Sequence, residues 1–323
     1  MCINVNDSNP LIFDEMTIEC CNKYVYLGNI IMNSPLHVPV EEHIQSRASH
    51  VRKFQSFLSK NRNAPYCVKK KVWTAALNSS LFYGSETWWC SNLREANKVY
   101  MKTLRDLLGV RTTICSDLII IESNEPSATA LLKSKQLKYI RKIQSRPDFN
   151  TSYLQKIIGK SIEAQCPMGI YIQQLRAIPL DPIVSERECL RAQINGNLVS
   201  SRRSTYKQLN PDLESPSIYT NSTHFIIEHH RIAYTQFRLS SHRLKIETGR
   251  WSRVPRERRL CSCGSVQDEL HVLVHCPMLT DIRRNFSDLI FNDLGEIMTH
   301  DDLDKLCKYI FLITNRVREL NAM

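Results

Sequence analysis

Residues 256–277 read RERRLCSCGSVQDELHVLVHCP, and this stretch combines soft metal ligands with a dense group of arginines. Three cysteines and one histidine follow the spacing C-x-C-x7-H-x4-C, at Cys261, Cys263, His271 and Cys276. Three thiolates and one imidazole complete a closed tetrahedral shell around Zn²⁺, which is the ligand set of a structural site rather than a catalytic one. The stretch therefore predicts a small zinc-stabilised domain in which the metal holds the shape.

The fourth ligand has two candidates. His275 lies one helical turn after His271, on the same face of a helix, whereas Cys276 reaches that face only if the helix loosens or stops. Pro277 favours a stop directly after Cys276, and Gly264 frees the backbone after the second thiol. The alternative to a metal site is a set of buried cysteines that act as small hydrophobes beside a core histidine. We predict the set with Cys276, and His275 remains its competitor.

The composition favours an anionic partner. The chain has 323 residues, of which 42% are hydrophobic and 23% charged, and this is ordinary globular usage. Lys and Arg number 43 against 32 Asp and Glu, which gives a net charge of +11. Nucleic acid, RNA or DNA with little sequence preference, is therefore the expected partner. No apolar stretch approaches the length of a bilayer span, so we expect no membrane partner.

The twelve cysteines bear on the compartment. Residues 1–10 are polar and carry no signal-peptide pattern, so disulfides of a secreted protein are not expected. The sequence predicts an intracellular protein of the nucleus or cytoplasm with reduced thiols.

Hydrophobic periodicity predicts a mainly α-helical protein with a small antiparallel β ribbon at its N-terminus. Short β-favouring runs lie at 11–13, 17–19 and 24–31. Apolar residues recur at helical spacing in six segments, around 44–58, 68–76, 93–108, 127–143, 225–239 and 303–317. Between 150 and 224 several prolines and a Ser/Asn-rich stretch predict a flexible, partly irregular connector.

Two groups of motifs resemble one known class of protein. The first is KYVYLG at 23–28, followed by KVW at 71–73 and LFYGSETW at 81–88. The second is the segment 239–259 before the first thiol, with Arg283 after the last. In this order they resemble the palm-to-thumb passage and the carboxy-terminal Cys/His motif of non-LTR (LINE-type) retrotransposon reverse transcriptases.

The resemblance implies a domain order. It implies a β ribbon from the end of a polymerase palm at 1–34, a helical thumb-like domain at 35–149, the connector at 150–224, and a basic C-terminal domain with the zinc motif at 225–323. In the family, the paired aspartates that hold two catalytic Mg²⁺ ions lie upstream of the YLG strand. Only residues 1–22 precede it here, and no [FY]-x-D-D string occurs. We therefore expect no catalytic residues and no polymerase activity.

Cations interleaved with an aromatic residue predict a sequence-tolerant nucleic-acid surface before the zinc motif. Its predicted members are Arg250, Trp251, Arg253, Arg256, Arg258 and Arg259. A second basic run, residues 47–71, has eight Lys or Arg and no acidic residue, and it predicts further contacts at Lys69, Lys70 and Lys71 on the surface that in the family grips the template-primer duplex. For any single cation, a charged face that meets only solvent is the alternative.

The function that follows is nucleic-acid binding by part of a LINE-type reverse transcriptase without its own polymerase centre. A host-adopted scaffold or interaction protein derived from that part is one alternative. A truncated version of an active RNA-directed DNA polymerase is the other.

Overall fold

The computed structural model describes residues 11–13, 16–18, 21–32, 39–88, 92–148, 152–196, 201–220, 226–289, 293–298 and 300–322. Within these ranges α-helix predominates and the strands are short and antiparallel, which confirms the predicted mainly α fold with a little N-terminal β-structure. The single ribbon is corrected to two separate hairpins. Strand β1 (Leu11–Phe13) pairs with β2 (Met16–Ile18), and β3 (Lys23–Tyr26) pairs with β4 (Asn29–Met32).

The turn of the second hairpin explains the LG pair of the KYVYLG motif. Tyr26 faces Asn29, so Leu27 and Gly28 form a two-residue loop. Both have positive φ, 47° and 78°, as a type I′ hairpin turn requires. Glycine adopts this backbone conformation without the steric cost that Leu27 carries.

The helices account for all six periodic segments predicted from the sequence. They are α1 (Val40–Ser46), α2 (Ala48–Lys60), α3 (Tyr66–Val72), α4 (Ser79–Leu81), α5 (Arg94–Leu108), α6 (Ser116–Ser123), α7 (Ala128–Gln144), α8 (Tyr153–Glu163), α9 (Pro167–Arg176), α10 (Pro182–Gly196), α11 (Ser201–Leu209), α12 (Ser217–Thr220), α13 (Glu228–Arg238), α14 (Lys245–Trp251), α15 (Thr280–Arg284), α16 (Leu294–Met298) and α17 (Leu303–Ala322). Short π-helical segments occur at Trp73–Asn78 and His271–His275, and 3₁₀ turns at Ser85–Thr87, Arg256–Arg258 and Pro277–Leu279.

The range 150–224, expected to be a partly irregular connector, contains α8 to α12 where the structure describes it, with non-helical residues 210–216 between α11 and α12. Two of its prolines, Pro167 and Pro182, are the first residues of α9 and α10. The missing N–H of a proline costs nothing in the first helical turn, and its fixed φ suits a helix start. These prolines therefore begin helices rather than interrupt them.

Two compact units make up the chain. One comprises residues 1–56, 72–101 and 126–186, and the other comprises 57–71, 102–125 and 187–323. Each unit collects several separate segments of the chain.

In the first unit, Arg47 joins the KYVYLG and LFYGSETW motifs. Its guanidinium donates hydrogen bonds to the carbonyls of Gly28 (2.9 Å), Leu81 (3.0 Å) and Tyr83 (3.0 Å). Gly84 lies close to the same hairpin, since a Cβ at that position would come within 2.1 Å of the Asn29 side-chain oxygen. Arg47 is thus a buried structural residue, which corrects its place in the exposed basic run.

The LFYGSETW motif also contributes an aromatic core. Trp88 is 2% exposed. The Gln136 amide of α7 donates to the carbonyls of Ser85 (3.2 Å) and Trp88 (2.6 Å), and it accepts a hydrogen bond from the Tyr171 hydroxyl (2.8 Å). Helices α7 and α9 therefore hold the turn in place.

In the second unit, α13 packs against α17 and carries two fully buried arginines. Arg238 pairs with Glu122 at 2.8 Å, and Arg231 pairs with Glu228 at 2.8 Å. Burying an ion is costly unless it is paired and hydrogen-bonded, and both guanidiniums meet that condition. These pairs fix α13, which precedes the Cys/His stretch along the chain.

Candidate metal centre

The first two cysteines lie in a tight turn. Leu260 and Val266 form an antiparallel bridge, and inside it the Cys261 N–H donates to the Ser265 carbonyl at 2.7 Å. The Gly264 N–H donates to the Cys261 carbonyl at 2.9 Å. Gly264 has a φ of 92°, while a Cβ there would meet nothing within 4 Å. The glycine is therefore required for backbone conformation rather than for space.

The last two ligand candidates come from a widened helical turn. Residues His271–His275 are π-helical, and the Cys276 N–H donates to the His271 carbonyl, five residues back, at 2.7 Å. This widening is the loosening that Cys276 needs to share a face with His271. Cys276 is fully buried within the cluster, whereas His275 is exposed and lies outside it.

The four ligand atoms of Cys261, Cys263, His271 and Cys276 all lie within 4.8 Å of one another, so the group has the arrangement to hold a metal ion. The Sγ atoms of Cys261 and Cys276 are 3.7 Å apart, those of Cys263 and Cys276 are 4.0 Å apart, and the Cys263 Sγ is 3.2 Å from the His271 Nε2. Zn–S bonds of about 2.3 Å at tetrahedral angles would place two sulfurs about 3.8 Å apart. The separations far exceed a disulfide bond length of about 2.05 Å, so these are free thiols placed around a common centre.

Burial favours the neutral imidazole of His271, which a metal ligand requires, and the protonated thiol of Cys276, which a metal would have to deprotonate. Burial lowers the pKa of His271, and the charges of His275 and Arg283 lower it further while Asp268 opposes them, so the imidazole is neutral at neutral pH. Burial and the neighbouring thiols Cys261 and Cys263 raise the pKa of Cys276 to about 12. A divalent cation would remove that penalty, because metal binding replaces the proton on each thiol.

Contacts around the cluster orient the ligands. Asp268 accepts a hydrogen bond from the His271 backbone N–H at 3.0 Å. Arg283 donates to the Cys276 carbonyl and to the Thr280 hydroxyl. Three thiolates on a divalent ion leave one net negative charge, and the Arg283 guanidinium beside Cys276 complements it.

Helix α17 supports this segment from far along the chain. The Tyr309 hydroxyl donates to the Leu273 carbonyl in the widened turn. Gln267 is 1% exposed, and its side-chain amide exchanges two hydrogen bonds of 3.1 Å with the Asn321 amide. The sequence analysis missed both contacts, because no local pattern links residues more than thirty positions apart.

The predicted cations before the cluster divide into exposed and structural groups. Arg253 and Arg258 are exposed, and Arg256 is exposed although it pairs with Asp268 at 3.0 Å. Arg256 is linked to the Cys/His segment, because its partner Asp268 also accepts a hydrogen bond from the His271 N–H.

Arg259 and Arg250 are not free surface cations. Arg259 donates to the carbonyls of Ile246 and Val254, both at 2.8 Å, and its stem packs so closely on Gly249 that a Cβ there would come within 2.7 Å. Arg250 pairs with the buried carboxylate of Glu247. The expectation that Arg259 extends into solvent is corrected, because its guanidinium caps backbone carbonyls.

Trp251 is 44% exposed, but the guanidinium of Arg111 lies 3.7 Å above its ring. One face of the indole is therefore already stacked on a cation. A base reaching Trp251 would have to use the other face or its edge.

The second predicted basic group, Lys69, Lys70 and Lys71, also contains both paired and exposed cations. Lys69 is buried and pairs with Glu228 at 2.8 Å, so its expected place on an exposed surface is corrected. Lys70 pairs with Glu125 at 2.7 Å and is half-buried, whereas Lys71 is exposed. Only Lys71 among the three presents its charge mainly to solvent.

Comparisons with protein-family models, curated proteins and solved structures give no match to this chain. Among the helices that the structure describes, none combines the length and the apolar character needed to cross a membrane.

Proposed function

We propose that this chain binds nucleic acid through basic residues whose positions depend on a structural Zn²⁺ ion, and that it corresponds to the thumb and Cys/His portion of a LINE-type reverse transcriptase. The observation that carries the proposal is the convergence of four ligand atoms within 4.8 Å, directly behind the exposed Arg253, Arg256 and Arg258. The net charge of +11 supports an anionic partner.

Zinc is the proposed metal because of the donor set. Three thiolates and one imidazole in a closed four-coordinate site are typical of structural zinc, and soft sulfur ligands disfavour Mg²⁺ and Ca²⁺. The closed shell leaves no open position for a substrate, so the ion would stabilise the turn and the widened helix without taking part in chemistry.

The binding surface is tested by the double variant Arg256→Ala/Arg258→Ala. Arg284→Ala/Arg316→Ala removes the same charge from other exposed positions of the second unit and serves as its matched control. Binding to a labelled single strand is measured across a salt series. Each lost phosphate contact flattens the slope of log K against log salt by about 0.7. The slope should therefore flatten by about 1.4 in Arg256→Ala/Arg258→Ala and by much less in the control variant. If both variants keep their zinc and show the same affinity and salt slope, the proposed surface does not bind nucleic acid, and a protein partner becomes the favoured alternative.

We also propose that the chain has no polymerase activity of its own. Polymerases of the family that this chain resembles hold two catalytic Mg²⁺ ions with an [FY]-x-D-D string, and this sequence contains no such string. Primer extension on an RNA template is the test. Incorporation that copurifies with the protein and exceeds a mock preparation would favour an active polymerase instead.

A further inference from the structure

A groove of about 620 Å³ lies in the second unit between α13, α17 and the segment 241–248. The sequence analysis did not predict it, because its walls come from parts of the chain that are distant in sequence. Its volume is in the range of ligand sites.

The charge of the groove is of one sign. Arg111, Arg243, Lys245 and Arg318 line it, and none of the described lining residues is acidic. The pKa of Arg111 lies below its usual value because of burial and because the charges of Arg202 and Arg243 disfavour its protonated form. The groove therefore concentrates positive potential, which an anion would relieve.

Carboxylates near the groove are already in use, and one of them, Glu269, lies 3.0 Å from the Nε2 of the lining residue His242. Glu247 is fully buried, pairs with Arg250, and lies 3.5 Å from the Arg202 guanidinium. Arg111 is held in position by the carbonyls of Ser240 (2.9 Å) and Ser241 (3.3 Å). Its guanidinium is also stacked on the Trp251 ring at 3.7 Å, so Arg111 shapes the wall of the groove, and Arg243, Lys245 and Arg318 are the cations left for a ligand.

The groove also has an aromatic wall. The rings of His229 on α13 and Phe311 on α17 are 4.6 Å apart, and Ile232 and Ala233 lie beside them. His229 is exposed, and Phe311 is half-buried with its ring also 4.9 Å from the His230 ring. Cations along a groove with an aromatic stacking platform are the combination that single-stranded nucleic acid requires.

We propose that this groove binds a single-stranded nucleic acid, with backbone phosphates on Arg243, Lys245 and Arg318 and a base stacked on Phe311. This proposal rests on the proposed function and assigns it a second surface, distinct from the arginines before the metal cluster. A duplex does not satisfy it, because paired and stacked bases cannot turn into the groove.

The triple variant Arg243→Ala/Lys245→Ala/Arg318→Ala tests the charges. Arg284→Ala/Lys308→Ala/Arg316→Ala is its control, since it removes two arginines and one lysine from exposed positions that do not line the groove. A short oligouridylate is titrated across a salt series with the full chain. The groove variant should bind about tenfold more weakly than the control, and its salt slope should fall by about 2. Unchanged zinc content and thermal melting would show that both variants are folded.

Phe311→Leu tests the stacking platform, because leucine keeps an apolar side chain and removes the ring. The affinity for oligouridylate should fall about tenfold while the salt slope stays unchanged. An abasic strand of the same length should bind both proteins equally, since it offers phosphates without bases. An equal loss on the abasic strand would overturn the base contact, because it would reflect a structural defect.

The outcomes separate the two proposals. If the wild-type chain binds the oligonucleotide but the groove and control variants weaken equally, the groove assignment is wrong and the proposed function stands. If the wild-type chain binds no nucleic acid, both fail.

Discussion

Burial separates the cations of this chain into two kinds that look alike in sequence. Lys69 and Lys71 stand two positions apart in a run of lysines, yet Lys69 is 4% exposed and paired with Glu228, whereas Lys71 is exposed. Arg47 and Arg259 likewise bond to backbone carbonyls. The local sequence does not show which residue a cation pairs with, because the partner can be distant along the chain: Glu228 lies 159 positions beyond Lys69.

Lys69→Ala should destabilise the protein by about 2 kcal/mol, because it leaves a buried carboxylate short of one partner while Arg231 remains paired to it. Lys71→Ala, the matched control, should change the free energy of unfolding by less than about 0.5 kcal/mol. Urea denaturation measures both. A Lys69 variant with unchanged stability and weakened RNA binding would restore this lysine to the binding surface.

At the scale of elements, α1 anchors the β3–β4 hairpin through one histidine. The Ile30 N–H donates to the His43 Nε2 at 3.3 Å, and the His43 ring packs on Trp88 with 5.1 Å between centroids. Burial, aided by the charge of Arg47, lowers the pKa of His43 to about 4. The folded state therefore keeps a neutral imidazole that accepts a hydrogen bond.

This histidine predicts a pH dependence of stability. In the unfolded chain His43 takes up a proton below a pKa of about 6.5, whereas in the folded chain it does so only below about pH 4. The neutral His43 therefore contributes fully to the free energy of unfolding above pH 6.5, and this contribution is lost as the pH falls toward 4. The loss should reach roughly 3 kcal/mol. His43→Gln keeps an acceptor for Ile30 without titrating, so its stability should fall less between pH 7 and pH 4.5. Parallel urea midpoints for the two proteins would contradict this account.

Helices were predictable where an amphipathic pattern is continuous. Periodicity predicted a helix at 93–108 and the structure has Arg94–Leu108. Periodicity predicted no helices between 150 and 224, because the prolines there were interpreted as helix breaks, whereas Pro167 and Pro182 are the first residues of helices. At the metal centre the spacing identified all four members of the cluster but left His275 and Cys276 open, because the choice depends on the π-helical turn at 271–275. Packing of that turn against α17 is not visible in the local sequence.

At the scale of the whole molecule, a Cys/His cluster that could hold a metal ion follows the exposed Arg253, Arg256 and Arg258. The proposed metal would act on a segment that α17 also supports, through the Tyr309–Leu273 and Gln267–Asn321 hydrogen bonds. We expect the charge of the chain to persist without metal and the position of Arg256 to change, because its partner Asp268 also accepts from the His271 N–H. Loss of metal should therefore weaken nucleic-acid binding without abolishing its salt dependence.

Binding of a labelled single strand by the wild type, Cys276→Ser and His275→Ala, with zinc content determined by native mass spectrometry, tests this claim most directly. His275→Ala should keep one zinc per chain and the wild-type affinity, because this side chain is exposed outside the cluster. Cys276→Ser should lose the zinc, bind about tenfold more weakly, and retain part of the salt slope. A Cys276→Ser protein that keeps its zinc, or that binds the strand as tightly as the wild type after losing it, would contradict the account.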